Sequence, residues 1–242
     1  MWADVRGAFA FLTVLPLGYS PGRKPGWSFA AYPLVGLCIG VLLAGVGLYA
    51  PFPPPVTLFA VLAIWVIVTG GLHLDGFGDS CDGLLATVEP ARRLEIMKDP
   101  RAGSWAVVGL IVLLLGKWAA LQAVSPVLFF LPPVIGRWAM VLAAWAFPYA
   151  RAGGLGGYFR DGLGRAQVGA ASALTLAITL TAAALTDGRV LVLPVIGLAV
   201  VAGAGRWAAA RLNGGLTGDV YGALCELTEL LCLIGMCEWA DG

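Results

Sequence analysis

What limits this chain most is a succession of apolar runs, each long enough to cross about 30 Å of hydrocarbon, at roughly 28–50, 54–72, 104–123, 126–149, 167–186, 190–206 and 219–237. Inside a bilayer every backbone N–H and C=O has to be satisfied within the protein, and a run of this length does so as a helix. A composition of 60% hydrophobic and 12% charged residues, with mean hydropathy +0.88, excludes a soluble domain. The expected fold is an all-α integral membrane protein with about seven transmembrane helices. The apolar stretch Ala8–Leu17 is too short to cross and is ended by Pro16 and Gly18, so it is expected to form an N-terminal interfacial or re-entrant helix. Asp4 and the lack of a small-residue cleavage site weaken a secretory-signal reading. No repeat or linker divides the chain, so residues 1–242 are expected to make a single polytopic membrane catalytic domain.

Cationic residues alternate between the connections, and Lys and Arg stay on the cytoplasmic side of a membrane. Arg6, Arg23 and Lys24 precede the first span; Arg92, Arg93, Lys98 and Arg101 lie between 73 and 103; Arg151, Arg160 and Arg165 between 150 and 166; Arg206 and Arg211 before the last span. The connections Pro51–Pro55 and Val124–Pro126 carry no charge, and the turn from Asp187 to Arg189 carries one of each sign. This places the long polar loops in the cytoplasm. A formal net charge of +1 provides no footprint for nucleic acid. The five cysteines lie mostly within spans and form no C-x-x-C pair, and His73 is the single histidine, which disfavours structural zinc and a disulfide framework.

The chemistry-bearing residues gather in the cytoplasmic segments. Asp75, Asp79 and Asp82, in Gly71-Leu-His-Leu-Asp-Gly-Phe-Gly-Asp-Ser-Cys-Asp-Gly83, share a helix face at the spacing i, i+4, i+7. Three carboxylates at the edge of hydrocarbon, with no Lys or Arg among them, point to a divalent cation. Asp75 and Asp82 lie about 10 Å apart along an ideal helix, so one Mg2+ held by two of the three and two ions bridged through Asp79 both fit. Solvated aspartates in a turn are the plain alternative. Asp219, and with it Glu226, is expected to face this metal site from the last span. Lys98 and Arg101 are phosphate candidates, Arg151 belongs to a glycine-rich basic loop able to approach an anion, and Arg92 and Arg93 are read as positive-inside or lipid-contacting residues. Asp99 either joins the metal or pairs with Arg101. His73 is a candidate proton carrier or substrate contact, or a structural hydrogen-bond donor at a helix end. Arg137 and Lys117 lie within spans; Arg137 is a candidate substrate contact, or one of the two pairs with Glu229.

Several blocks together carry a family resemblance: G-G-L-H-L-D-G-F-G-D-S-C-D-G ending at Gly83, L-E-I-M-K-D from Leu94 to Asp99, Y-A-R with G-L-G from Tyr149 to Gly156, G-G-L-T-G-D-V-Y-G-A with E-L-T-E from Gly214 to Glu229, and F-L-T-V-L-P from Phe11 to Pro16. In this order and over the whole length they resemble the cobalamin synthases, the adenosylcobinamide-GDP ribazoletransferases. Pro100, Ala102 and the pair Ala152-Gly153 depart from the pattern. The resemblance implies a Mg2+-dependent transferase of a prokaryotic cytoplasmic (inner) membrane, with its active site on the cytoplasmic side. It would join alpha-ribazole, or alpha-ribazole 5'-phosphate, to adenosylcobinamide-GDP with release of GMP. It further implies a metal site at Asp75, Asp79, Asp82 and Asp219, with Asp79 as candidate base and Lys98, Arg101 and Arg151 on phosphate groups. Membrane lipids are the remaining expected partners, and oligomeric state is left open. A CDP-alcohol phosphotransferase would use the same logic, but its D-G-x-x-A-R motif does not fit this chain. A secondary transporter would use the intramembrane charges and leave the aspartate cluster without a purpose.

Overall fold

A computed structural model describes residues 2–18, 24–151 and 155–237, and these residues form helices and connecting turns. A short helix α1 (Trp2–Leu12) opens the chain, and a 3-10 turn, Pro25–Ala31, runs into α2 (Tyr32–Tyr49). Next come α3 (Pro54–Val68), α4 (Leu72–Leu85), α5 (Pro90–Ile96), α6 (Ser104–Leu121), α7 (Leu131–Ala146), α8 (Leu155–Arg160), α9 (Arg165–Leu185), α10 (Val192–Arg211) and α11 (Gly218–Cys237). Six of the helical segments are long and apolar enough to cross a membrane, and α3 with α4 makes a seventh if the bent pair is one span. This matches the expected architecture. The N-terminal helix starts earlier than the apolar run suggested and ends at Leu12: Val14 N–H then donates to the Val68 carbonyl at 2.9 Å, which ties the chain after α1 to the end of α3.

At the centre stands α7, buried along nearly its whole length, with α2, α10 and α11 around it. Its contact with α2 is close because Gly36 and Gly40 lie one helical turn apart on the facing side; a Cβ at Gly36 would come 2.3 Å from the Pro133 carbonyl oxygen. By contrast α6, α9 and α10 present Val112, Leu115, Leu180 and Val195 outward, the surface that lipid tails cover.

Three local features set the site. The chain turns by 86° between α3 and α4, where Gly70 and Gly71 occupy the left-handed region at φ +61° and +67°, which a residue with a Cβ adopts only with strain. With 15 residues α3 rises only about 22 Å, and beyond the bend α4 packs against α6 and α11. A single parallel bridge then joins Tyr149 to Leu216, with Ala150 N–H donating to the Leu216 carbonyl and Leu216 N–H to the Pro148 carbonyl, both at 2.9 Å. Finally, the C-terminal end of α4 is tied down twice. Asp82 accepts from the N–H groups of Gly103 (2.7 Å) and Ala106 (2.9 Å) and so caps α6, while Arg93 and Arg211 each donate to the Leu84 carbonyl at 2.8 Å, where the C-terminal end of the α4 dipole is negative.

Candidate active site

The first turn of α11 packs so tightly on α4 that a Cβ at Gly76 would lie 2.8 Å from the Asp219 carbonyl oxygen. This glycine brings the aspartate of the last span beside the cluster on α4. Asp75, Asp79 and Asp219 are thereby gathered at one end of the bundle. Burial raises the pKa of Asp79 to about 7, and the negative charges of Asp75, Asp219 and Asp82 add to the effect against the opposing pull of Arg151. Asp219 is held from the other side by Arg151 at 2.9 Å, and Arg151 also donates to the Met97 carbonyl at 3.3 Å. The Tyr149–Leu216 bridge thus brings Arg151 from the α7–α8 loop to the α5–α6 connection and to α11.

A cavity of about 470 Å³ opens here. On one side it is lined by Asp75, Gly76 and Asp219, with the cations Lys98, Arg151 and Arg160 around them; on the other it is lined by aromatic side chains from the N-terminal part of the chain. His73 lines the cavity, 2% exposed, with Nε2 lacking a partner among the described residues; burial, reinforced by the charges of Arg137 and Lys117, holds its pKa well below the usual imidazole range, so the ring is neutral. The Tyr221 hydroxyl, in the same cavity, has no partner among the described residues. Carboxylates that bind a hard cation, next to guanidinium and ammonium groups that bind phosphate oxygens, equip the cavity for a phosphate-bearing substrate.

The model of the cobalamin-5-phosphate synthase family matches residues 4–237. The chain belongs to that family. Among curated relatives, the adenosylcobinamide-GDP ribazoletransferase of Geotalea daltonii is 40% identical over 94% of this chain and 94% of its own, and that of Stutzerimonas stutzeri is 40% identical over 95% of each. The ribazoletransferase of Deinococcus radiodurans is 38% identical over 96% of this chain and 84% of its own. No solved structure matches the chain.

Within this family member the expected site residues divide into three groups. Asp75, Asp79, Asp219, His73, Lys98 and Arg151 come together at or beside the cavity. Asp82 and Arg101 stand apart from it. Asp82 is engaged through both carboxylate oxygens by the start of α6, and exposed Arg101 pairs with Asp99 at 2.7 Å, which brings the Asp99 pKa down to about 2. Arg137 is far from solvent: its side chain is completely buried and pairs with Glu229, which also binds Lys117, while Lys117 reaches Glu226 at 2.6 Å and sits 4.3 Å from the Trp65 ring. Both Arg137 and Lys117 therefore partner Glu229, and Glu226 faces Lys117 instead of the aspartates. Among the described residues no three His, Cys, Asp or Glu side chains converge closely enough to enclose a metal ion. The segment 152–154 of the glycine-rich loop and Arg23 lie outside the described residues.

Arg160, the last residue of the glycine-rich basic loop expected to approach an anion, lines the cavity beside Arg151. Two contributors were not legible in the sequence. Arg93 is buried against α4 instead of facing lipid, and Tyr221 supplies a free hydroxyl. Tyr221 lies two residues from Asp219, a spacing that does not put side chains on one helix face, so the sequence held no signal for its place in the cavity.

Proposed function

We propose that the chain transfers alpha-ribazole, or its 5'-phosphate, onto adenosylcobinamide-GDP with release of GMP, giving adenosylcobalamin or its 5'-phosphate. The observation that carries this reading is the meeting of Asp75 and Asp219 with Lys98, Arg151 and Arg160 on one cavity. Family membership and the names of the relatives support it. In the transfer a ribazole hydroxyl forms a bond to the phosphorus next to the cobinamide, the bond from that phosphorus to the oxygen of the GMP phosphate breaks, and the hydroxyl proton leaves to a base.

Lys98, Arg151 and Arg160 hold the diphosphate oxygens, with Arg151 itself oriented by Asp219 and the Met97 carbonyl. Neutral His73 and the Tyr221 hydroxyl orient substrate hydroxyls in the cavity, and Asp79, half-buried next to Asp75 and Asp219, takes the proton. Oxygen donors that are gathered without closing a cage fit Mg2+, which keeps waters and substrate phosphates in its shell. Asp75, Asp79 and Asp219 would hold it; when bound, the ion supplies positive charge to the phosphoryl and leaving-group oxygens. Asp82 serves α6 in this account.

The cavity end carries the cationic loops, so we assign it to the cytoplasmic face of a prokaryotic inner membrane. In sealed inside-out vesicles an impermeant maleimide should label Lys98→Cys and spare Phe52→Cys; the reverse pattern would overturn the orientation. The reaction is tested with purified protein in bilayer discs, adenosylcobinamide-GDP, alpha-ribazole and Mg2+. One GMP should appear per cobalamin formed and chelation should stop the reaction; cobalamin formed without GMP, or at full rate under chelator, would refute it.

A further inference from the structure

The phosphate chemistry uses one wall of the cavity and leaves the aromatic wall without a role. Phe11 of α1, Phe29 of the 3-10 turn, Tyr32 at the start of α2 and Phe159 of α8 come from four separate elements to make it. Phe29 and Tyr32 are buried and stack at 4.4 Å with an interplanar angle of 16°. Phe11 lies 6.4 Å from Tyr32 at 23° and 4.5 Å from Phe159 at 36°. Phe11 and Phe159 are only half-buried, and the same two rings also line a second cavity of about 510 Å³. Rings whose task was packing alone would be buried like Phe29 and Tyr32, whereas this pair borders two cavities.

Several polar groups beside the rings are already engaged. Ser28 Oγ donates to the Pro25 carbonyl at 2.7 Å and lies in hydrogen-bond contact with the Tyr32 hydroxyl, and Asp4 in the second cavity has a partner within the protein. A guanine edge needs donors and acceptors opposite it, whereas the edge of dimethylbenzimidazole is hydrocarbon and needs none. The block Phe11–Pro16 carries no chemistry of its own in the sequence; its first residue belongs to this wall.

We propose that Phe11 and Phe159, backed by Phe29 and Tyr32, form the stacking subsite for the benzimidazole ring of the ribazole acceptor, with the diphosphate of the donor held on the opposite wall. The inference rests on the ribazole-transfer reading and adds to it the subsite that selects the acceptor. A base stacked on aromatic side chains loses about ten-fold or more in affinity when the rings are removed.

The test compares Phe11→Leu, Phe159→Leu and Phe159→Tyr with the parent protein in bilayer discs, varying alpha-ribazole and adenosylcobinamide-GDP in turn, with direct binding of alpha-ribazole measured by equilibrium dialysis without donor. Both leucine variants should raise KM and Kd for alpha-ribazole about ten-fold, leave KM for the donor and kcat within about two-fold, and Phe159→Tyr should restore the parent values. An unchanged affinity for alpha-ribazole, or a rise confined to the donor KM, which would put guanine on the rings, overturns the proposal. Should Phe11→Leu fail to insert, Phe159 on the short α8 decides alone. A parent protein that transfers no ribazole contradicts the functional reading; a parent that transfers while its variants bind ribazole normally contradicts only the subsite.

Discussion

Asp79 is the side chain on which the cost of the site is most visible. Folding places it half out of water beside other carboxylates, and its pKa rises from 3.8 to about 7. For an acid with a raised folded pKa the native state binds more protons than the unfolded state between those values, so stability of the metal-free protein falls as pH rises from about 4 to about 7. Asp79→Asn removes the penalty: in chelator the variant should melt above the parent at pH 8, with the gap closing toward pH 4, as read by thermal unfolding in detergent. An equal gap at all pH values would show that the charge of Asp79 is not what matters. The buried quartet behaves in the opposite sense, because each charge there has a partner. Glu229→Ala leaves Lys117 and Arg137 buried with only Glu226 nearby and should cost about 3–5 kcal/mol in equilibrium unfolding. Pairing of Arg137 or Lys117 with Glu229 was legible from their comparable depth within spans, but that one carboxylate serves both cations was not, since depth along an axis says nothing of azimuth.

The decisive element is α4. Its carboxylate spacing made it a helix on the sequence alone, and the apolar run before it marked where hydrocarbon ends. What the spacing left unread is the direction of the helix after Gly71, and hence which side chain does what. A helix packed against α6 and α11 turns Asp82 toward the start of α6 and Asp75 toward the cavity, although both belong to the same motif. Asp82→Ala should therefore cost about 1 kcal/mol through loss of a cap, while the Mg2+ concentration for half-maximal rate stays that of the parent. Asp75→Asn should raise that concentration. A shift caused by Asp82→Ala as large as that from Asp75→Asn would return Asp82 to the metal. The Arg93 anchor at the same end of α4 was unreadable for a similar reason: Arg93 sits in a run of loop cations, and only tertiary packing separates a buried guanidinium from one that faces lipid.

For the molecule as a whole, span number and cationic-loop pattern were legible because hydrophobic length and charge are properties of short windows. The cavity was not, because its lining comes from α1, the turn before α2, α4, α8 and α11, segments joined only once the spans have packed. In the proposed reaction its charged groups, from α4, α11 and the loops, serve the phosphates, and its rings, from α1, the turn before α2, α2 and α8, serve the acceptor. In the same proposed reaction Asp75 and Asp219, brought together by the α4–α11 contact, serve the transfer itself. The most direct measurement is single-turnover transfer by protein in bilayer discs, counting GMP and cobalamin by mass spectrometry for the parent, Asp75→Asn and Asp219→Asn. Both variants should fold and insert yet lose about 100-fold or more in rate. Turnover at the parent rate in both variants, with one GMP still released per product, would contradict the account.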